Sequence, residues 1–201
     1  ARRNILSIRR LLKNKDISED IVLDGIKKDT GIFFGLPDNI SKILDYALTE
    51  MINNAIEHSG SRQIEISIKR NSVIRFDIID RGIGIFNNII KKKQLNNELE
   101  AIQDLLKGKQ TTAPKEHTGE GIFFTSKMAD ILTIQSSRKK LLFNNILGDI
   151  FIKDSAKSVK GTKVIFVISP KSKTESTKHL KPSARIPSSL EININGLVIV
   201  F

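Results

Sequence analysis

Three polar residues recur at four-residue spacing within Leu48–His58, namely Glu50, Asn54 and His58. On a helix, residues at this spacing stack in one row. A carboxylate can take a proton, a carboxamide offers a neutral oxygen to a hard cation, and an imidazole can touch an anion. Two glycine-punctuated blocks follow, Asp80-Arg81-Gly82-Ile83-Gly84 and His117-Thr118-Gly119-Glu120-Gly121-Ile122, and a Gly161-Thr162 pair comes later. Together they meet the needs of a protein that holds ATP without a P-loop. Asp80 can accept the adenine amino hydrogen, while Gly82 and Gly84, lacking a Cβ, let the backbone pass close to the base at Ile83. Asn54 can offer its oxygen to Mg²⁺, and Glu50, one turn earlier, can orient or deprotonate an attacking group. Gly119 and Gly121 precede a helix whose N–H groups can face phosphate.

Taken singly, each feature has a plainer reading. Asp-x-Gly-x-Gly is commonly a turn, and Gly-x-Gly before a helix is commonly turn chemistry too. Asn54 alone reads as a satisfied polar residue and Glu50 alone as a solvated charge. His58 has two readings, phosphate contact or capping of a helix C-terminus. The ordered combination is what favours a nucleotide site.

The elements that must position these residues can also be read. Pro37-Asp38-Asn39 opens a helix that runs to about His58 and stops before Gly60. Its apolar positions Leu44, Leu48, Met51, Ile52 and Ala55 gather on one side, so the Glu50–His58 row borders a buried face. Residues 63–69 and 72–79 alternate apolar and polar as strands, joined by a turn at Asn71-Ser72, and Asp80 stands where the second strand ends. Residues 86–116 read as a long polar insertion, a lid, that contains a short helix, Glu98–Lys107, behind Asn97. A helix from Gly121 to about Asp130 and strands at 131–136, 141–152 and 163–168 complete an α/β layering. Upstream, residues 2–15 carry six cations and apolar residues at helical spacing, the pattern of an amphipathic helix or of the tail of a removed domain, and residues 16–28 read as a second short helix entered through Ser18. Residues 169–189 are rich in Lys, Ser, Thr and Pro and read as a linker. Residues 190–201 are strand-like.

Composition bounds the rest. The 201 residues are 39% apolar, enough for a core, and contain no Cys, which removes disulfides and thiolate metal sites. The three histidines show no metal-ligand spacing. No run of about 18 apolar residues appears and no signal-peptide pattern is visible, so the expected setting is cytoplasmic with no membrane contact. A net charge of +11 suits anionic partners, although solvated Lys-rich loops account for it as simply. Lys91–Lys93 reads as such a surface run, Lys107, Lys109 and Lys115 as lid residues, and Lys163 as a charge at a strand start. Ten Phe and one Tyr give little support for a base-stacking surface.

In order and spacing, the blocks resemble the GHKL superfamily of ATPases, which includes histidine-kinase ATPase domains and anti-sigma-factor kinases. Glu50, Asn54 and His58 match its N box, and Asp80-x-Gly82-x-Gly84 matches its adenine-binding box. Thr118-Gly119-Glu120-Gly121-Ile122 resembles its phosphate-proximal block, and Gly161-Thr162 the final Gly-Thr before the last strand. His117 and Glu120 depart from the usual Gly and Leu. The run His117–Phe124 is similar to a bacterial subgroup of anti-sigma-type ATPases, often flanked by an upstream winged helix and a downstream STAS-like module. The resemblance implies an α+β two-layer sandwich in which a mixed, mostly antiparallel sheet is covered on one face by helices, with a flexible ATP lid. It implies a basic lead-in over 1–36, the ATP-binding domain over 37–168, a linker over 169–189 and the start of a STAS-like module over 190–201. It also implies ATP and Mg²⁺ as cofactors, with Asn54 as the metal ligand. The nucleotide set would be Asn54, His58, Asp80, Gly82, Ile83, Gly84, Thr118, Gly119, Glu120, Gly121, Ile122 and Thr162, and Glu50 would be catalytic.

The leading expectation is a regulatory ATPase or Ser/Thr kinase of the anti-sigma type. Its partner would be a protein of the sigma or anti-anti-sigma kind, and DNA contact would come through an upstream module. The alternatives are a nucleotide-dependent binding switch with little turnover, or the ATPase domain of a sensor histidine kinase. The last needs a phospho-accepting His on a preceding helix, and none occurs before His58.

Overall fold

A computed structural model describes residues 6–107, 120–173, 191–194 and 197–200. The element order is β1 (Ser7–Lys13), α1 (Glu19–Asp29), α2 (Asp38–His58), β2 (Gln63–Arg70), β3 (Ile74–Asp80), α3 (Ile85–Lys93), α4 (Glu98–Lys107), α5 (Glu120–Met128), β4 (Ile131–Asn144), β5 (Asp149–Ile168), β6 (Glu191–Ile194) and β7 (Leu197–Val200). The sheet runs β1-β2-β3-β5-β6-β7, with β4 also on β5. Every pairing is antiparallel except β5 with β6. This is the expected α+β fold.

Alternation decides which sheet face is covered. Ile64, Ile66 and Ile68 of β2, Ile74, Phe76 and Ile78 of β3, and Val164, Phe166 and Ile168 of β5 are all buried, while their sequence neighbours are not. On that face Phe76 stacks on its register partner Phe166, ring centroids 4.7 Å apart, worth about 1 kcal/mol beyond area burial. Helix α2 lies over it, burying Leu44, Leu48, Met51, Ile52 and Ala55 as its periodicity requires. Across the opposite face the Arg75 guanidinium grips Asp77 through two bonds of 2.6 and 2.7 Å, and Arg9 pairs with Glu65 at 2.8 Å.

Three segments depart from the sequence-based expectation. The basic lead-in is a strand over Ser7–Lys13 rather than a helix. Alternate residues Ile8, Arg10 and Leu12 turn inward, and a sheet edge was available beside β2. Arg10 then reaches across to the Gly25 carbonyl and Asp29, fastening α1. The polar insertion begins with a helix, α3, that buries Phe86. Behind it α4 has the predicted bounds and buries Ala101, Ile102, Leu105 and Leu106, with Asn97 accepting from the Glu100 N–H at 3.0 Å. Lys93 and Asp104, 2.7 Å apart, tie the two helices together. Replacing the cap, Asn97→Ala, is expected to cost α4 about 1 kcal/mol. Hydrogen exchange over residues 98–107 would show it as faster exchange there than across β2 and β3.

The third departure is at 141–152, where a turn at 145–148 interrupts the expected strand. Fourteen residues of β4 would span about 46 Å if straight. Yet the Asn145 N–H donates to the Asp130 carbonyl at 3.0 Å. The strand therefore doubles back at Ser137, whose φ is 50° and where the register shifts. One arm, 131–136, runs beside 162–167, and the other, 139–144, beside 149–154. The closing segment, expected to be strand-like, forms in its described part a hairpin, β6–β7, that joins the same sheet at Phe151 and Ile152. Of the expected linker, 169–173 is described, and Asp130 accepts from the Ser169 N–H at 2.6 Å and the Ser172 hydroxyl at 2.8 Å.

Candidate functional site

Asp80 ends β3 with its carboxylate turned into the protein, 4% exposed. Oδ1 accepts from the N–H of Gly82 at 2.9 Å and of Thr162 at 3.2 Å. The Thr162 hydroxyl accepts from the Ile85 N–H at 3.0 Å, where α3 begins, and also bonds the Asp80 carboxyl. The Asp80–Gly84 block and the Gly161-Thr162 pair, 77 to 82 residues apart in sequence, are thus one knot. Burial pushes the Asp80 carboxyl above its ordinary value of 3.8, against the pull of those N–H bonds. The folded chain therefore holds this proton more tightly than the unfolded chain does. Stability from the group is greatest in acid and falls as pH climbs from the ordinary value through the raised one. A buried carboxylate of this kind is improved by any ligand that brings it a donor.

The glycines around it are required by contact. A Cβ on Gly82 would stand 2.6 Å from the Ser59 carbonyl carbon, which is backbone. Gly84 has φ 88° and closes on the Gly161 carbonyl, which is fixed by the Ser136 hydroxyl at 2.9 Å. Gly161 has φ 78°, and a Cβ there would stand 2.5 Å from Asp80 Oδ1 and 2.7 Å from Arg81 Cα. Ile83 stands half out of the surface, its side chain over Gly60.

The row on α2 lies at the border of the buried face as expected, with Glu50, Asn54 and His58 all partly exposed. Glu50 reaches the start of α5. A Cβ on Gly121 would fall within 2.9 Å of its carboxyl carbon, so the absence of a side chain there makes room for the carboxylate. A carboxylate at a helix N-terminus is favourably placed. His58 is pushed below its ordinary value, first by burial and then by Lys92 of α3, so at neutral pH the imidazole is predominantly neutral. The α2 C-terminus needs no help from that ring. The carbonyls of Ala55, Ile56 and His58 accept from Ser59 Oγ, Asn14 Nδ2 and Asn88 Nδ2 at 2.5, 3.1 and 3.3 Å. Ile122 is 2% exposed and belongs to the core, which leaves only its backbone for a ligand. Thr118, Gly119 and His117 lie outside the described residues, and Glu120 opens α5.

Sequence reasoning missed the residues that brace the loop, above all Ser59, Ser61, Ser136 and Asn14. Only Ser59-Gly60-Ser61 left a signal, as turn chemistry after a helix. Among the described residues no cluster of three or more His, Asp or Glu could hold a metal by itself. Mg²⁺ tolerates one protein oxygen when phosphates and water complete its octahedron, so the single carboxamide of Asn54 is compatible with it. Among the described residues no helix is long and apolar enough to cross a membrane.

This geometry can be set beside known proteins. Comparison with curated proteins finds no significant match, and neither does comparison with solved structures. The family described as histidine kinase-like ATPase domain matches residues 30–143, more than half of the chain and the whole path from the entry of α2 through the Asp80 loop, α3, α4 and α5. The chain belongs to the histidine kinase-like ATPase domain family and carries an ATP-binding domain of the GHKL type.

Proposed function

We propose that this chain binds Mg-ATP at the Asp80 knot and uses it as a regulatory ATPase or protein kinase of the anti-sigma type, acting on a protein partner of the sigma or anti-anti-sigma kind. The observation that carries the reading is Asp80 itself. It is a buried carboxylate with one oxygen held by two backbone N–H groups, in a loop whose glycines cannot be replaced. That arrangement suits an exocyclic amino donor. The expected nucleotide set of Asn54, His58, Gly82, Ile83, Gly84, Thr118, Gly119, Glu120, Gly121, Ile122 and Thr162 is retained in this proposal. Support comes from the joining of the two glycine blocks to Thr162 and from Glu50 lying against Gly121.

In the proposed chemistry, Asn54 Oδ1 would hold Mg²⁺, and the ion, when bound, would supply charge neutralisation between phosphates. Glu50 would accept the proton of the attacking hydroxyl or water, since its carboxylate lies beside the α5 N-terminus, where phosphate N–H donors would face. His58, largely neutral, would donate one hydrogen bond rather than a full charge. Glu50→Ala is expected to leave ATP affinity within about threefold of the parent while turnover falls about 10²–10⁴-fold. Following labelled phosphate, alone and with candidate partner proteins, gives the destination of the group. Equal, very low turnover in parent and variant would instead identify a nucleotide-dependent binding switch. Contact with DNA through an upstream module and a cytoplasmic setting belong to the same proposal.

A further inference from the structure

We propose that Asn14 and Ser61 are positioning residues for the nucleotide loop, and that through Asn14 strand β1 acts as part of the nucleotide site. The inference rests on the reading of the Asp80 loop as the adenine site and goes beyond it. Asn14 lies outside the family match over 30–143. The observations form one chain of bonds. Directly after β1, the Asn14 N–H donates to the Arg62 carbonyl at 2.9 Å, extending the β1–β2 ladder by one step. Its Nδ2 donates to two carbonyls, Ile56 at 3.1 Å and Ser61 at 2.9 Å. One carboxamide thus holds the end of α2 and the turn that follows it.

That turn in turn holds the loop. Ser61, 7% exposed, donates its hydroxyl to the Gln63 carbonyl at 2.7 Å and accepts the Arg81 N–H at 3.1 Å. The Ser59 carbonyl accepts the Ile83 N–H at 2.8 Å, and Gly82 packs directly against it. Arg81 and Ile83 flank Gly82 in the adenine-box segment, so the backbone beside the Asp80 carboxylate is located by two contacts to the turn that Asn14 fixes. Removing Asn14 Nδ2 leaves two carbonyls without their donor, and removing Ser61 Oγ orphans the Arg81 N–H. In either case the loop relaxes while the sheet beneath it keeps its ladder.

The test measures adenosine, ADP and Mg-ATP binding by calorimetry. It compares the parent with Asn14→Asp, Ser61→Ala and Asp80→Asn, each well below its own unfolding midpoint. Asn14→Asp keeps the volume and turns the donor into an oxygen facing two carbonyls. Because the brace acts on the base end of the site, Asn14→Asp and Ser61→Ala are each expected to weaken all three ligands by the same factor, about tenfold. Mere destabilisation of the fold leaves the affinity of the folded fraction unchanged. Unchanged affinity in folded variants overturns the proposal, as does a loss confined to ADP and ATP with adenosine unaffected. If Asn14→Asp does not fold, Ser61→Ala decides alone. A parent that binds none of the three ligands overturns the site reading and this proposal together. Loss in Asp80→Asn without loss in the other two overturns the brace alone.

Discussion

Asp80→Asn is expected to weaken nucleotide binding severely while leaving the ligand-free protein folded. The two residues are isosteric, and the asparagine Oδ1 can still accept from the N–H groups of Gly82 and Thr162. Its Nδ2, however, presents a donor where the carboxylate presented an acceptor, and an adenine amino group would then meet another donor. The loss combines a charge-assisted hydrogen bond, about 1.5–3 kcal/mol, with an unsatisfied donor of about 1–3 kcal/mol. Together they weaken binding by about 10²–10⁴-fold. The ligand-free protein is expected to be as stable as the parent or slightly more stable at neutral pH, because burial disfavours the charge that the variant lacks. Thermal unfolding with and without Mg-ATP tests both halves. A variant that keeps the parent's ligand-induced rise in midpoint would remove Asp80 from the site.

The second large effect is expected at Gly161. Gly161→Ala forces a Cβ onto a residue at φ 78° and brings it 2.5 Å from Asp80 Oδ1 and 2.7 Å from Arg81 Cα. Neither obstacle is the flexible end of a long side chain, so backbone must move. Positive φ and the collision act together, for a loss of about 3 kcal/mol. In a chain of this size that lowers the unfolding midpoint by about 6–12 °C. Nucleotide affinity is expected to fall in the folded fraction as well, because the displaced atoms include the carboxylate. Denaturant unfolding gives the stability loss and calorimetry the affinity loss. A midpoint within 2 °C of the parent, by the scale just used, would show that this contact is not tight in solution.

Much of this was legible because local pattern and tertiary structure agree. Helix α2 carries a complete apolar stripe, so its face and the bordering row of Glu50, Asn54 and His58 followed from spacing. Asn97 and the apolar spacing behind it gave α4 to the residue. Asp80 was placed by the end of an alternating strand. In the lead-in, Ile5, Ile8, Leu11 and Leu12 fit a helix by spacing, whereas pairing with β2 sorts Ile8 and Leu12 inward and leaves Leu11 63% exposed. The β4 reversal at Ser137 had no sequence signal, since it contains neither glycine nor proline. Asn14 was invisible for a different reason. Its partners, Ile56 and Ser61, are 42 and 47 residues away, and only the folded chain shows that they are adjacent.

The bonds that close the Asp80 knot, from Thr162 and to Thr162, span 82 and 77 residues. Contacts of that sequence separation raise the contact order of the domain, which slows its folding. A chain emerging during synthesis would display Asp80 long before Thr162 existed to meet it. A ligand that binds the closed knot and not the unfolded chain is expected to stabilise the domain chiefly by slowing its unfolding.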